Sequence, residues 1–506
     1  METFVHKHAD SITGVLSCPD RVIFKGHLPL GSPQAMDAFL AQQGLLLKEF
    51  KTFSKGLAKE IKGAAQRMAK RAERPYEYLN GFVRKEEYVR EMVERDGVTE
   101  GLVCVLATKE SSTSFKLIYG EGRPRLAFSR PKCLCLYFYF IDREFGLMHV
   151  RLQTWFPFTI QVYVNGHSWL ARKLDRHGIG YTAVDNAFTW LEDPKRAQRF
   201  ADNFVKRNWP RILEAFARRV NPLLKGLLDG YGYYWVTDQF EYATDLMFRD
   251  RASLSGLYRK LLEHATLCLS AEDVLTFLGR KLHGNFKGEV LNDQKKRRQG
   301  TRVKHRMKAN WIKMYDKFGC VLRIETVVNH PYEFRVRRLG MRNGTTVMGW
   351  FPMAKGVANL PRYGEVCLAA NRRYLQALTV VDDPAEALEQ LPSLAKRVRY
   401  NGKTHRGFNP LSTQDIRLFA AVLRGEHAIL GFRNKDIRVR LFPGTQLPKH
   451  SARVSRLLRI LHVHGLIAKI QRSRRWRVTT QGHKLMSTAI ALFKKHYPKQ
   501  YALSAV

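Results

Sequence analysis

A run of β-branched residues between 320 and 328 constrains the fold more than any other feature of the sequence. Val, Ile and Thr favour a strand, so the carboxylate of Glu325 in this run costs free energy unless it meets a cation, a metal or a hydrogen-bond donor. The loose alternation of residues 303–317 predicts a second strand, joined to the first by a turn through Phe318 and Gly319. The sequence therefore predicts two strands that carry an acidic group.

If these two strands pair, cations, a phenol and a carboxylate meet on one face. Period 2 places Arg323 on the face of Glu325, and Lys313, Tyr315 and Lys317 share one face of the preceding strand. Such a group suits a phosphodiester site, with the three basic side chains on phosphate and the phenol as a nucleophile or a structural group. The alternative is a ladder of cross-strand ion pairs that only holds a hairpin together.

Net charge indicates the kind of partner. The 506 residues include 86 Lys and Arg against 45 Asp and Glu, a net charge of +41, which repels itself and attracts polyanions. No apolar run approaches the ~20 residues that span a bilayer, and the N-terminus lacks the order of a signal peptide. Seven scattered Cys make neither a disulfide framework nor a zinc site. We expect a cytoplasmic, nucleoid-associated protein that binds DNA or RNA and no membrane, with its oligomeric state open.

The length and the patterns predict an α+β protein of several domains. These are a basic N-terminal helical region (1–130), an α/β core (131–230), a second α+β domain with the paired strands (231–400) and a C-terminal domain (405–506). Residues 1–31 show no clear pattern, whereas Ser32 and Pro33 begin a helical pattern that continues to about Arg74. Lysines recur along one face of that pattern, which is a solvated face or a phosphate contact.

The predicted core contains three apolar strands, a helix and a fourth strand. The three strands span 134–141, 147–155 and 158–164, the helix spans 167–176, and the fourth strand spans 180–184. This order is that of an RNase H-like fold, in which one carboxylate lies on the first strand and another ends the fourth. Asp142 and Asp185 would fill those places, although a β-meander followed by a helix occurs in many α+β folds.

Residues 232–248 allow two interpretations, a strand or a helix. In a helix Glu241 and Asp245 stack at i,i+4, where like charges repel by a few tenths of a kcal/mol unless a cation lies between them. The two carboxylates are therefore candidate metal ligands, or each meets one of the many Arg side chains.

Other segments add a phosphate contact and exclude several enzymes. The basic run Lys295, Lys296, Arg297 and Arg298 predicts a loop that touches phosphate without sequence preference. Residues 350–400 have a helical pattern. No Walker loop, HExxH or GxSxG occurs, so ATP hydrolysis, zinc proteolysis and acyl transfer have no support.

The C-terminal domain has the order helix, helix, helix, hairpin, which resembles a winged helix. The predicted third helix, 451–465, turns its apolar residues inward, and a basic turn joins the strands of the hairpin. The outward and wing residues are Arg453, Arg456, Arg459, Arg472, Arg474 and Arg475. With 21 Lys and Arg against three Asp and Glu between 401 and 506, nucleic-acid binding is favoured over protein interaction.

Residues 137–158, residues 302–329 and the winged-helix tail together resemble a widespread bacterial family of mobile-element-like proteins without an assigned activity. That resemblance implies no catalytic residues. The segment from Tyr315 to Glu325 separately resembles a local motif of plasmid and phage replication initiators, where a strand-borne Glu lies near the nicking site.

Two functions remain open on these grounds. The first is a nuclease, nickase or transposase of a mobile element that acts on DNA, in which Glu325 and Glu241 hold Mg²⁺, Asp245 or Asp142 is the third ligand, and Tyr315 is a candidate nucleophile. The second is a non-catalytic binder of structured RNA or DNA, such as a ribonucleoprotein component or a replication or transcription regulator. Dependence on a divalent metal separates the two.

Overall fold

The structure, a computed structural model, is a mixed α/β fold with a large mixed sheet. It describes residues 1–80, 83–119, 124–267, 269, 271–279, 290–297, 300–379, 391–424, 427, 431–443, 447–471, 473–479, 481–490 and 493. The helices are α1 (Glu2–Lys7), α2 (Pro33–Gln42), α3 (Phe50–Arg71), α4 (Lys85–Asp96), α5 (Gly166–Arg176), α6 (Pro194–Phe204), α7 (Trp209–Val220), α8 (Arg251–Leu267), α9 (Ala271–Phe277), α10 (Leu360–Leu378), α11 (Thr413–Val422), α12 (Asn434–Leu441) and α13 (Pro448–Val463).

The strands are β1 (Ile12–His27), β2 (Tyr76–Tyr78), β3 (Gly101–Ser111), β4 (Ser114–Ile118), β5 (Arg125–Ser129), β6 (Lys132–Asp142), β7 (Gly146–Gln153), β8 (Ile160–Asn165), β9 (Tyr181–Val184), β10 (Ala187–Leu191), β11 (Tyr234–Phe248), β12 (Val290–Arg297), β13 (Gly300–Met307), β14 (Asn310–Lys317), β15 (Val321–Val328), β16 (Arg335–Arg342), β17 (Thr345–Pro352), β18 (Val398–Tyr400), β19 (Lys403–His405), β20 (Ile467–Lys469) and β21 (Trp476–Val478). Within the described residues, eleven strands form one sheet in the order β12-β13-β14-β15-β11-β1-β8-β7-β6-β3-β2. β2 and β3 run parallel, whereas β3, β6, β7, β8 and β1 pair antiparallel in succession.

The chain divides into two compact units. One consists of Met1–Thr13, Leu246–Thr326 and Val366–Val506, and the other of Gly14–Asp245 and Val327–Glu365. The first includes the antiparallel ladder of β12, β13 and β14, and the second includes the antiparallel meander of β6, β7 and β8. The domain boundaries expected from the sequence stay predictions.

Residues 303–317 form two strands rather than the single strand that was predicted. β13 ends at Met307 and β14 begins at Asn310, with Lys308 in the left-handed region at φ 52°. Since the turn contains neither Gly nor Pro, the usual markers of a turn were missing. The second turn, through Phe318 and Gly319, was predicted correctly, and all eight residues of β15 are buried, as expected for a central strand.

The predicted fourth strand of an RNase H-like core does not join the large sheet. β6, β7 and β8 form the expected meander and α5 follows it, but β9 pairs with β10 in a separate two-stranded sheet. The reason is local: Asp185, at φ 56°, turns the chain directly after β9, so the next strand becomes its partner. In the large sheet β6 instead has β3 beside it.

The N-terminal third is less helical than predicted. Residues 1–31, which showed no pattern, contain the 16-residue strand β1. The helix that starts at Ser32 and Pro33 is confirmed, because the Ser32 hydroxyl accepts a hydrogen bond from the Ala35 amide at 3.1 Å. The helical pattern is interrupted after α2 and resumes as α3.

The strand interpretation of residues 232–248 is the one that the structure adopts, since this segment forms β11. The prediction of a helix over 350–400 is wrong at the beginning and at the end of that range, where the structure has strands. β17 extends to Pro352 and β18 begins at Val398, with α10 between them.

The helices and the hairpin predicted for the C-terminal region are present as α11, α12, α13 and the pair β20–β21. Val454, Leu458 and Leu461 of α13 are buried in a core that α11, α12 and the hairpin share. Of the described residues, no helix has the length and apolar character needed to cross a membrane.

Candidate metal centre

Glu325 is a deeply buried carboxylate among the predicted ligands. Its side chain is 1% exposed, in the middle of β15. The Lys313 ammonium donates to Oε1 and the Tyr315 hydroxyl donates to Oε2. The prediction that a cation, a phenol and this carboxylate share one face is therefore confirmed. The charge of Glu325 is compensated locally, and the group is held in one orientation.

Asp20 lies on β1 and is 5% exposed. Its Oδ1 accepts hydrogen bonds from the side-chain amides of Asn165 at 2.8 Å and Asn186 at 2.7 Å. Asn165 also caps α5 by accepting from the Ser168 amide at 2.9 Å. The start of α5 therefore fixes the position of the Asp20 carboxylate.

Gly166 lets α5 approach β1 this closely. A Cβ at position 166 would lie 2.1 Å from the carbonyl oxygen of Pro19, a backbone atom that cannot swing away. Only glycine fits such an approach without displacing the helix or the strand. The sequence Asn165-Gly166 is thus part of the support for Asp20.

A buried histidine links Asp20 to a second aspartate. His167 is 2% exposed, its Nδ1 lies 3.5 Å from Asp20 Oδ1, and its Nε2 lies 3.3 Å from Asp245 Oδ2. Asp245 is fully buried on β11. The imidazole therefore lies between the two carboxylates, at hydrogen-bond distance from Asp245.

Glu241 precedes Asp245 by four residues on β11, so both side chains point to one face of the strand. The Gln239 amide donates to Glu241 Oε1. Burial opposes the charge of Arg21, but Tyr163, Glu86, Glu241 and Asp20 together raise the pKa of its guanidinium. A permanent positive charge thus lies near two of the carboxylates.

One acidic group in the described part of the chain has the geometry of a metal site. Asp20, Glu241 and Glu325 each offer a carboxylate oxygen, and the three oxygens lie within 4.8 Å of one another. All three side chains are buried. This group could hold a metal ion. It contains two of the predicted metal ligands, Glu241 and Glu325, with Asp20 in the place predicted for Asp245 or Asp142.

The other predicted catalytic residues lie outside this group. Asp142 Oδ1 accepts from the backbone amides of Glu144 and Phe145 at 2.8 and 3.0 Å, so it stabilises the turn between β6 and β7. Asp245 contacts His167, and Tyr315 donates a hydrogen bond to Glu325.

The predicted phosphate contacts differ in accessibility. Arg323 is fully buried with its guanidinium 6.0 Å from the Tyr315 ring centroid, and Lys317 is 3% exposed. Contact of these two side chains with phosphate stays a prediction, and it requires the surrounding structure to open.

The basic residues predicted outside the strand pair are mostly accessible. Lys295, Lys296 and Arg297 are exposed, but they lie in β12 at the edge of the sheet and not in a loop. A lysine-rich edge strand also discourages pairing with another chain. Exposed side chains of the C-terminal region include Arg453, Arg456, Arg459 and Arg474, whereas Arg475 is half-buried and donates to the Gly431 carbonyl at 3.2 Å. The predicted Arg298 and Arg472 lie outside the described residues.

Sequence reasoning missed Asp20 and His167. Pro19 interrupts the alternation of β1, and proline ordinarily argues against a central strand. His167 follows Asn165-Gly166, a residue pair that is typical of a hairpin turn. An Asp directly after Pro19, in a segment with Leu16, Val22 and Phe24 at even spacing, was the one available signal.

No protein-family model, curated protein or solved structure matches this chain. Its function is therefore argued from its own residues.

Proposed function

We propose that the chain binds nucleic acid and uses Asp20, Glu241 and Glu325 to hold Mg²⁺ for cleavage or transfer of a phosphodiester. The observation that carries this proposal is the convergence of three buried carboxylate oxygens within 4.8 Å. Carboxylate oxygens are the ligands that Mg²⁺ prefers in proteins.

The chemistry assigned to the metal is stabilisation of charge on a phosphodiester oxygen and activation of the attacking water or hydroxyl. The side chains around it would hold the ligands in place. Lys313 and Tyr315 orient Glu325, and Asn165 and Asn186 orient Asp20. The positive charge of Lys313 beside the group would also favour an approaching phosphate.

Nucleic acid as the substrate is supported by charge and by the C-terminal elements. The net charge of +41 favours a polyanion. We assign α11, α12, α13 and β20–β21 to a winged-helix module, on the basis of their order and their shared core. Arg453, Arg456 and Arg459 lie on the exposed face of α13, where they can contact the phosphates of a duplex. A mobile-element enzyme that acts on DNA would work at the nucleoid.

The test is cleavage of labelled single- and double-stranded DNA and RNA by the full chain with and without Mg²⁺. We expect Mg²⁺-dependent cutting by the wild type, and at least a hundredfold loss in Glu241→Gln and Glu325→Gln with nucleic-acid affinity retained. Glu365→Gln is the matched control, because Glu365 is 61% exposed and pairs with Arg362 on the surface of α10. Equal cutting by all four proteins would exclude this carboxylate group from catalysis.

A second candidate is a non-catalytic binder of structured RNA or DNA, and one observation favours it. Both oxygens of Glu325 already accept hydrogen bonds, from Lys313 and Tyr315. On this alternative the carboxylates and the basic side chains only stabilise the fold. A wild-type protein that binds nucleic acid and cuts none of the four substrates with Mg²⁺ or Mn²⁺ would support the binder.

A further inference from the structure

The β16–β17 hairpin has one exposed face that its fold leaves uncovered. The strands pair antiparallel from Arg335 opposite Pro352 to Arg342 opposite Thr345. The turn residues Asn343 and Gly344 have φ values of 51° and 76°, the conformation of a tight two-residue hairpin turn. Eight residues per strand give an arm roughly 26 Å long.

The back of this arm is packed against itself. The Phe351 ring crosses Gly340, where a Cβ would come within 2.7 Å of the ring, and it also lies close to Gly349. The Arg338 guanidinium lies 5.5 Å from the centre of the Phe351 ring and donates to the Pro352 carbonyl at 3.0 Å. The aromatic ring and the guanidinium therefore close this face.

The front of the arm is apolar and open. Leu339 lies opposite Met348, and Trp350 lies opposite Arg337. Leu339, Met341, Met348 and Trp350 are 56 to 68% exposed. Exposed apolar residues scattered singly are ordinary, but four on one face of one hairpin mark a binding surface.

Positive charge surrounds this apolar face. Residues 335–352 contain four Arg and no Asp or Glu. Arg335 and Arg337 lie on this face and are exposed, and Arg342 is exposed on the opposite face beside the turn. No carboxylate of the described residues lies within ion-pair distance of the three. A second copy of a chain with net charge +41 would be repelled from this face, so self-association is disfavoured.

We propose that this arm binds unpaired nucleic acid, with a base stacked on Trp350 and the backbone phosphates held by Arg335 and Arg337, which lie on the same face. The flat faces of unpaired bases match an apolar surface, and stacking of bases on aromatic side chains within basic surroundings is the common mode of single-strand binding. The groove edges of a duplex are polar donors and acceptors, which this face cannot satisfy. The inference rests on the proposed nucleic-acid function and names the surface that takes the unpaired strand.

The experiment is fluorescence anisotropy of a labelled 20-nucleotide oligo(dT) and of a labelled 20-base-pair duplex with the full chain. Trp350→Ala should weaken binding of the single strand roughly tenfold or more and leave duplex binding within twofold. Arg337→Gln should weaken single-strand binding and lower its dependence on salt. Trp190→Ala is the matched control, because Trp190 is 46% exposed on a different two-stranded sheet, β9–β10.

The outcomes separate this inference from the function on which it rests. A wild type that binds neither oligonucleotide overturns both. If Trp350→Ala binds the single strand as tightly as the wild type does, the arm is not the binding surface. Nucleic-acid binding by the chain is then not contradicted. Equal losses on single strand and duplex contradict the preference for unpaired bases. Melting temperatures equal to that of the wild type ensure that each loss of affinity comes from the altered surface and not from unfolding. If the wild type dimerises with increasing concentration and Trp350→Ala does not, the face binds a second copy of the chain instead.

Discussion

At the scale of single residues, Lys313 and Glu325 form an ion pair that is largely buried. The two side chains are 14% and 1% exposed, and Tyr315 donates to the same carboxylate. Removing one partner of a buried pair leaves an uncompensated charge and costs about 3–5 kcal/mol. A divalent ion bound by the acidic group would compensate part of that charge.

Lys313→Met should therefore lower the melting temperature, and Mn²⁺ should restore more stability to this variant than to the wild type. Thermal melts with and without Mn²⁺ measure both effects. Lys304→Met is the control: Lys304 lies on the neighbouring strand β13 and is 3.9 Å from Asp293, nearer to solvent. If Mn²⁺ stabilises the wild type and Lys313→Met equally, the ion does not bind beside the Glu325 carboxylate.

His149 links stability to pH. Burial, followed by the charges of Arg21, Lys85 and Arg151, lowers the pKa of His149 from 6.5 to about 3. Its ring stacks on Tyr163 with centroids 5.0 Å apart. The unfolded chain therefore takes up the proton first as pH falls. The contribution of neutral His149 to the free energy of unfolding is complete above pH 6.5. It is lost as the pH falls from 6.5 to about 3, at up to ~1.4 kcal/mol per pH unit.

His149→Phe keeps an aromatic ring and removes the titration, so its unfolding midpoint in urea should depend less on pH between 6.5 and 4 than that of the wild type. Urea titrations at half-unit pH steps measure this slope. The same change at the exposed His6 should leave the slope unaltered. Parallel curves for the wild type and His149→Phe would show that the histidine titrates normally in the folded protein.

At the scale of elements, the sequence predicts what local periodicity determines. The helix α13 was predicted because apolar residues recur every three or four positions, and Glu325 was placed beside Lys313 and Tyr315 because the three lie within 13 residues. β1 was not predicted, since the alternation of apolar and polar residues in this segment breaks at Pro19. Its neighbour β8 lies more than 130 residues further along the chain. Asp20 therefore joins the acidic group through sheet order, which no local pattern contains.

The contact of α5 with β1 yields an element-scale prediction. Gly166→Ala places a Cβ against the Pro19 carbonyl, so the helix must shift, at a cost of about 1–3 kcal/mol. The shift should also move Asn165 away from Asp20 and weaken divalent-metal binding. Thermal melting and Mn²⁺ titration measure the two losses. Gly56→Ala in α3, where nothing lies within 4 Å, should be neutral or stabilising by about 0.5–1 kcal/mol. A Gly166→Ala protein as stable as the wild type would contradict the close packing.

At the scale of the whole molecule, the excess of positive charge determines how affinity responds to salt. Neutralising six phosphates would give a log–log slope of roughly −5 on duplex DNA. Changing Arg453, Arg456 and Arg459 together to Gln should reduce the magnitude of this log–log slope by about three units if each side chain contacts one phosphate. Binding measured between 50 and 300 mM KCl tests both numbers. Affinity that does not change with salt would contradict the electrostatic account.

The central claim is that Asp20, Glu241 and Glu325 bind a divalent cation, and calorimetric titration of chelator-treated protein with Mn²⁺ tests it most directly. We predict saturable binding by the wild type and by Glu365→Gln, and its loss in Asp20→Asn and Glu241→Gln at unchanged far-ultraviolet circular dichroism. A wild type without saturable binding, or four proteins that bind Mn²⁺ equally, would contradict the claim.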